Sequence, residues 1–318
     1  WTLRPDKDSQ TNIGYMERGD NFEHYYDIAI TYLGKVIKEN KHDLGLSFEK
    51  LWYNECNWNT ANNDDILFAI PMLKGTTSRY GYNIGVTIDG GKHAYGSAKN
   101  YCQFNATYLY SFDKDDLRRD ITCVPYKYDK DLNQVIDMGF SANGVGKWSK
   151  LKMESPLGAS SGSNTGINSV RMRFADVLLM YAEAQTEYLN KAQGASIIND
   201  ELVYKSIEMV RQRAGLNPYT LKRGMSYDQL IKLIRNERRC EFAFEESRFW
   251  DIRRWKIAND VYSKPLHGVR ITKKEDGTFH YDYNMEVAKP YWDDRMYRLP
   301  IDHNEVLFNP NIVQNPGY

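Results

Sequence analysis

The sequence predicts a mainly α-helical fold that carries a loop-rich, irregular portion. Three observations lead there. Apolar residues recur at helical spacing over residues 22–41, 170–189, 201–213 and 226–250. The stretches between them, above all 74–97 and 139–169, are rich in Gly, Asn, Ser and Tyr and keep no period. One short apolar run, 66–70, has the character of a strand.

Taken in order, residues 1–19 hold Pro5, Gly14 and Gly19 among polar residues and read as an irregular lead-in. Asp20 and Glu23 have the spacing of a capping box. Behind them Phe22, Tyr26, Ala29, Ile30, Leu33 and Ile37 form one face of an amphipathic helix to about residue 41. A short helix is expected over 48–52 or slightly beyond. The polar turn 57–65 has Trp58 in its middle, and the run 66–70, closed by Pro71, suits a buried strand. Residues 74–97 form a loop of a length that is usually functional or disordered. Helical spacing returns weakly over 101–112, and 139–169 is the most linker-like part of the chain.

The second half is more regular. Phe174, Val177, Leu178, Tyr181, Ala182, Gln185, Tyr188 and Leu189 mark the inward side of helix 170–189. Helix 201–213 presents Leu202, Ser206, Ile207 and Val210 and is ended by Gly215 and Pro218. Helix 226–250 opens on a capping box of Ser226 and Gln229. From 261 onward the tail reads as irregular. Helices paired through short turns suggest tetratricopeptide-like hairpins, without the strict repeat motif.

Composition excludes some functions. Lys+Arg and Asp+Glu each number 42, so the chain lacks the positive field of a nucleic-acid binder. No window approaches 18 apolar residues. The four cysteines show no CxxC spacing, and Cys240 reads as a small buried hydrophobe. The six histidines form no HExxH, and there is no GxSxG, P-loop or dinucleotide fingerprint. Asp64 with Asp65, and Asp113 with Asp115 and Asp116, lack the remaining parts of a calcium loop. No metal or other cofactor is expected.

The stretch 226–255 poses the main question. Residues 237–254 hold five acids (Glu237, Glu241, Glu245, Glu246, Asp251) and five bases (Arg238, Arg239, Arg248, Arg253, Arg254). Glu237, Glu241 and Glu245 fall on one helical face at i, i+4 and i+8. A carboxylate pair invites a glycoside-hydrolase or metal-site reading. Ion pairing, as in Arg238–Glu241 and Glu245–Arg248 at i,i+3 with further partners from other helices, is the structural alternative. Nearby arginines depress carboxylate pKa values, which suits a structural role and not a general acid. No residue is therefore assigned as catalytic.

The aromatic loops are the ligand-binding candidates. Trp58 sits with Asn57, Asn59, Asn62 and Asn63, while Tyr80, Tyr82 and Tyr95 sit with Arg79, Asn83, Asp89 and His93. A sugar site needs a flat aromatic plane for C–H faces and polar groups for hydroxyls, and these loops hold both. Trp58, Asn57, Arg79, Tyr80, Tyr82, Asn83, Asp89 and Tyr95 form the expected site. The alternative is that the rings pin long loops in place.

Ordered blocks over about half the chain carry a resemblance. Arg173-Phe174-Ala175-Asp176-Val177-Leu178-Leu179-Met180-Tyr181-Ala182-Glu183-Ala184 is followed by Val210-Arg211-Gln212-Arg213-Ala214-Gly215-Leu216. Glu237-Arg238-Arg239 with Glu241-Phe242, then Asp251-Ile252-Arg253-Arg254-Trp255, continue it to the ending Gln314-Asn315-Pro316-Gly317-Tyr318. The chain resembles the SusD/RagB nutrient-binding lipoproteins. Glu246-Ser247 departs from the family's usual Gly plus polar residue, at what reads as a helix position. The resemblance implies tetratricopeptide-like hairpins supporting a loop-rich ligand-binding part. It also implies a location on the extracellular face of the outer membrane through a lipidated N-terminal cysteine. There, members form a lid over a SusC-like TonB-dependent transporter and capture oligosaccharides, or peptides in some members, without chemistry.

The chain starts without that cysteine and reads as the C-terminal part of a longer lipoprotein. Residues 1–318 are expected to form one such domain, loop-rich over 1–168 and helical over 169–318. Glu237, Arg238, Glu241, Asp251, Arg253, Arg254 and Trp255 are expected to hold it together. The expected partners are an oligosaccharide or polysaccharide and the transporter, with no nucleic acid and no membrane contact beyond the anchor.

Overall fold

A computed structural model of the protein describes residues 2–3, 16–17, 21–136, 144–158, 164–283, 285–315 and 317–318. The capping-box residue Asp20, most of the lead-in 1–19, and residues 137–143 and 159–163 of the adjoining loop lie outside the described residues.

Helix α1 (Phe22–Glu39) starts after Asn21 and stops at Asn40, which takes the left-handed φ of 50° that Asn tolerates at a helix end. Helix α2 (Phe48–Cys56) is capped by the Ser47 hydroxyl, which accepts the Lys50 N–H at 3.2 Å. Short helices α3 (Tyr80–Asn83), α4 (Ala106–Leu109) and α5 (Leu117–Thr122) follow. The long helices are α6 (Phe174–Lys191), α7 (Glu201–Arg213) and α8 (Tyr227–Glu241). Helices α9 (Ser247–Arg254), α10 (Ala258–Tyr262) and α11 (His303–Phe308) complete the chain.

The main core forms where α6, α7 and α8 present Leu178, Ile207 and Leu230, all fully buried, with Ile30 and Leu33 of α1 closing one side. A second cluster joins Phe104, Tyr108, Phe112 and Cys240 to Val269 and Ile271. A third gathers Phe48, Leu51 and Trp52 of α2 around Val145, Trp148 and Met153. The helix-rich fold is the one expected from the sequence. The Ser226 capping box is present, with Gln229 N–H to Ser226 Oγ at 3.3 Å and Ser226 N–H to Gln229 Oε1 at 3.1 Å.

Several local expectations are corrected. The strand Ile66–Ile70 forms, but it pairs antiparallel with Ser169–Arg173 as a two-stranded ribbon whose outer face meets solvent. Phe68 is 59% exposed, so this is not a buried strand. The same pairing delays the next helix, which begins at Phe174 and not at 170. The weak pattern over 101–112 yields four helical residues. Helix 226–250 breaks after Glu241, because Phe244 and Glu246 take φ values of 62° and 66°. Glu246 is thus a left-handed turn residue, where glycine would be unstrained, and not a helix position.

The stretch read as linker-like contains Val145, Lys147, Trp148 and Met153 deep in the protein. Gly146 is there for close approach: a Cβ would sit 2.1 Å from the Ile121 carbonyl oxygen. The tail also has structure, with strand Arg270–Lys273 paired to Phe279–Asp282, besides α10 and α11.

Candidate functional site

The carboxylates of α8 lie in a buried ion-pair hub assembled from distant segments. Glu241 Oε1 accepts from Arg173 at 2.7 Å and from Arg213, while its Oε2 accepts from Arg118 at 3.1 Å. Glu237 pairs with Arg118 at 2.9 Å and with Arg211 at 2.7 Å. Asp65 takes Arg173 at 2.8 Å and Arg213 at 2.7 Å, and Asp116 takes Arg118 at 2.6 Å. Lys147, fully buried, donates to the Glu241 and Ala243 carbonyls at 2.9 Å and to Glu245 Oε1 at 2.6 Å. A cation placed on the last carbonyls satisfies groups that a helix end leaves open, which explains why α8 can stop in the interior.

The partners are therefore not the i,i+3 neighbours. Arg238 turns to Asp251, at 2.9 and 3.2 Å, and Arg248 makes no ion pair among the described residues. Ribbon geometry brings Asp65 and Arg173 to the same end, and Asp65 Oδ1 also accepts the Ala175 N–H at the start of α6. Burial raises the Glu241 carboxyl, but Arg213, Arg173 and Arg118 outweigh it and hold Glu241 far below the usual carboxylate range. Burial likewise opposes ionisation of Asp65, and Arg213 with Arg173 still lower it. A carboxylate so held cannot keep a proton for general acid catalysis.

A second knot fixes α9. Trp255 Nε1 donates to Glu183 at 2.8 Å, and Arg254 pairs with Glu183 and, at 2.8 Å, with Asp251. Arg253 stands apart, its guanidinium 3.5 Å from the Phe249 ring centroid. Of the calcium candidates, Asp116 and Asp65 are paired in the hub and Asp113 lies 3.4 Å from Arg211.

The eight expected ligand residues are held in unequal ways. Trp58 Nε1 donates to the Gly166 carbonyl at 2.7 Å, and Lys74 lies over its ring at 4.6 Å. The Asn57 amide donates to the Tyr53 and Lys152 carbonyls and accepts the Glu154 N–H, all at 2.8–2.9 Å. The Tyr80 ring stacks on Trp148 at 5.4 Å, and its hydroxyl meets Ser169 at 3.0 Å and Glu246 at 3.5 Å. Trp58 and Tyr80 both pack on the third core cluster, and Gly166 N–H bonded to Thr77 C=O at 2.7 Å ties their loops together. The carbonyls of Tyr82 and Asn83 hold residues 99 and 101. Asp89 pairs with Lys127 at 3.3 Å, Tyr95 lies 6.5 Å from His93, and Arg79 is exposed.

Four clefts among the described residues are lined by other side chains. The first, of about 520 Å³, lies between residues 103–108, the end of α8, α9 and residues 260–266. Another, of about 200 Å³, is lined by Arg171, Glu246, Ser247 and Trp250. Those of about 620 and 360 Å³ lie beside Leu221 and Lys232 and beside Tyr110 and Tyr283. Trp250 is 59% exposed, and Tyr80 reaches the rim of its cleft through Glu246.

A profile of the SusD family matches residues 11–318, nearly the whole chain. The chain belongs to the SusD family. It is 26% identical to SusD-like protein P2 of Formosa agariphila, over 96% of this chain and 57% of that protein. It is 25% identical to a SusD-like protein of Bacteroides ovatus, over 95% of this chain and 57% of that protein. The chain thus spans somewhat over half the length of the relatives it matches. The crystal structure of a SusD homologue from Bacteroides thetaiotaomicron superposes with a TM-score of 0.71 at 22% identity, covering 93% of this chain and 60% of that one. Surface glycan-binding protein A from the same species, in complex with laminarihexaose, gives 0.62 at 18% identity, covering 93% and 60%.

In this SusD-family chain, the family blocks contain the hub residues Arg173, Arg211, Arg213, Glu237 and Glu241. Sequence reading weighed Asp65 and Asp116 only as calcium ligands and missed Arg118 and Lys147, which have no local pattern and matter only because the fold carries them inward. It also passed over Trp250, Arg239 and Arg248 as cleft residues. The signal present was an aromatic in a charged helix, which reads equally as packing.

Proposed function

We propose that this protein is a non-catalytic glycan-binding protein that captures oligosaccharides at the extracellular face of the outer membrane for a TonB-dependent transporter. Membership of the SusD family over residues 11–318 carries this reading. The laminarihexaose complex of a protein of the same fold supports a sugar as the ligand class. Residues 1–318 act as one domain, with the ligand loops in 1–168 and their helical support in 169–318. Arg79, Tyr82, Asn83, Asp89 and Tyr95 offer contacts from the loops. Asn57, Trp58 and Tyr80 set their framework, and Trp250 offers an exposed aromatic ring in the cleft that it shares with Glu246, the residue the Tyr80 hydroxyl reaches. The hydrolase reading has lost its support, since Glu237 and Glu241 are each shared between guanidinium groups.

Calorimetric titration against neutral and acidic oligosaccharides and against peptides tests the reading. Binding of at least one glycan is expected, weakened about 2–10-fold by Trp250→Ala or Tyr82→Ala, the range of one lost aromatic contact. Binding of peptides with silence across the glycans would assign the chain to peptide capture. Release of reducing ends that stops on Glu237→Gln would overturn the non-catalytic role.

A further inference from the structure

Arg239 and Arg248 line the cleft of about 520 Å³, a size suited to a small-molecule or sugar subsite. Among the described residues neither makes an ion pair. Arg239 reaches the Thr107 hydroxyl at 3.4 Å and lies 5.9 Å from the Tyr108 ring centroid. Arg248 lies 5.9 Å from the Trp255 ring centroid. Asp251, the carboxylate whose field reaches Arg248, is already committed to Arg238 and Arg254, and Glu246 is paired with Arg171. Among the lining residues Lys264 adds a third cation and Asp260 is the one acid, leaving the lining with a net charge of +2.

This arrangement differs from that of the arginines buried in and around the hub. The guanidiniums of Arg118, Arg173, Arg213 and Arg238 each meet carboxylates. Burial pushes both cleft guanidiniums down, Arg248 to about 10 with Arg239 adding to the push, and each stays charged at neutral pH. A partly buried cation without a counter-charge is costly, and an incoming anion relieves that cost. The same cleft offers apolar ring surface from Phe244 and Tyr262 and a side-chain amide from Gln103.

We propose that this cleft is a subsite for an acidic sugar residue, one bearing a carboxylate or a sulfate ester within an oligosaccharide. The two guanidiniums take the anionic group, and the aromatic surface takes the C–H face of the ring. An aliphatic anion would leave the ring surface unused, and a neutral sugar would leave the two charges unanswered. The proposal rests on the glycan-binding reading above and goes beyond it by naming the charge class and the place.

The test is calorimetry on the 318-residue chain with four probes: an oligouronate, a sulfated oligosaccharide, a neutral oligosaccharide of equal length, and a short peptide with a free C-terminal carboxylate. At least one acidic oligosaccharide is expected to bind, and whichever arm responds identifies carboxylate or sulfate. Arg239→Gln and Arg248→Gln are each expected to weaken that binding at least about 10-fold, the scale of a charge-assisted hydrogen bond, while neutral binding stays unchanged. Lys264→Gln, at an exposed position, is expected to weaken it about 2–3-fold. Acidic affinity that ignores all three substitutions overturns the proposal. So does peptide binding lost on the same variants with no response to either acidic sugar. Neutral glycan binding without acidic binding removes this subsite and leaves the general reading standing; silence to every sugar removes both.

Discussion

Arg238 and Arg239 are neighbours on α8 and occupy opposite electrical surroundings. Arg238 turns inward to a two-point pair with Asp251 and lies over the Phe242 ring at 5.1 Å. Arg239, about 100° further round the helix, meets a cleft, a threonine hydroxyl and no carboxylate. Arg238 shares its fate with the hub, where every buried charge is answered, and Arg239 shares its fate with Arg248. The difference teaches that residue type alone does not tell a structural arginine from one available to a ligand. Whether a carboxylate faces it does.

The sharpest way to break the comparison is to remove charges on the hub side. Glu241→Ala leaves Arg173, Arg213 and Arg118 short of a partner in the interior, and a loss of about 3–5 kcal/mol in chemical denaturation is expected. An unchanged midpoint would mean that the hub carries no stability. Arg238→Gln, which leaves Asp251 with Arg254 alone, is expected to cost about 1–3 kcal/mol, whereas Arg239→Gln should cost under about 1 kcal/mol. Equal losses for these two neighbours would erase the contrast drawn between them.

A pH series sharpens it further, because the buried acids titrate in opposite directions. Glu241 and Asp65 have folded pKa values below their ordinary ones, so the stability they add is present above about pH 4.5 and is lost as pH falls through the folded values. Glu55 runs the other way. Burial pushes it up to about 7, against the pull of the 2.9 Å bond from Asn63, and burial likewise pushes Asp176 to about 6. Their contributions are present at low pH and fade as pH rises toward those values. The melting temperature should therefore peak at mildly acidic pH and fall on both sides. At pH 8, Glu55→Gln is expected to gain roughly 1–3 kcal/mol, from a raised pKa worth about 1.4 kcal/mol per unit. A loss at that pH would show that Glu55 is ionised and paired.

The smallest effect concerns the turn between α8 and α9. Glu246→Gly relieves a left-handed φ of 66° and gives up an Arg171 pair that is largely exposed. A net gain of under about 1 kcal/mol is expected. A clear loss would show that the Arg171 pair outweighs the backbone.

The long helices were legible in the sequence because each carries its own signal. The 3.6 period, the Ser226 cap and the Gly215 stop are all local. The hub was legible in half. Glu237 and Glu241 stood out as carboxylates sharing one helical face, but Asp65, Arg118 and Lys147 reach them from remote segments, and no sequence period records such a meeting. The linker-like stretch misled because glycine reads as flexible, whereas Gly146 is small so that backbone can pass against Ile121. The loop aromatics Trp58 and Tyr80 were found by composition. Composition did not show that their polar atoms spend themselves on Gly166 and Ser169.

The way the hub is wired also bears on folding kinetics. Glu241 reaches across 123 residues to Arg118 and 68 to Arg173, and Arg213 reaches across 148 to Asp65. Closing loops of that length comes at an entropic cost that must be met before any of these pairs can form. Helices α6, α7 and α8 share local contacts and can assemble first. The long-range pairs of the hub are then expected to close last, as a latch over helices already packed. Glu241→Gln should on this account leave the refolding rate nearly unchanged and speed unfolding, which stopped-flow measurement of both limbs can separate. A mutation that slowed refolding instead would place the hub in the nucleus.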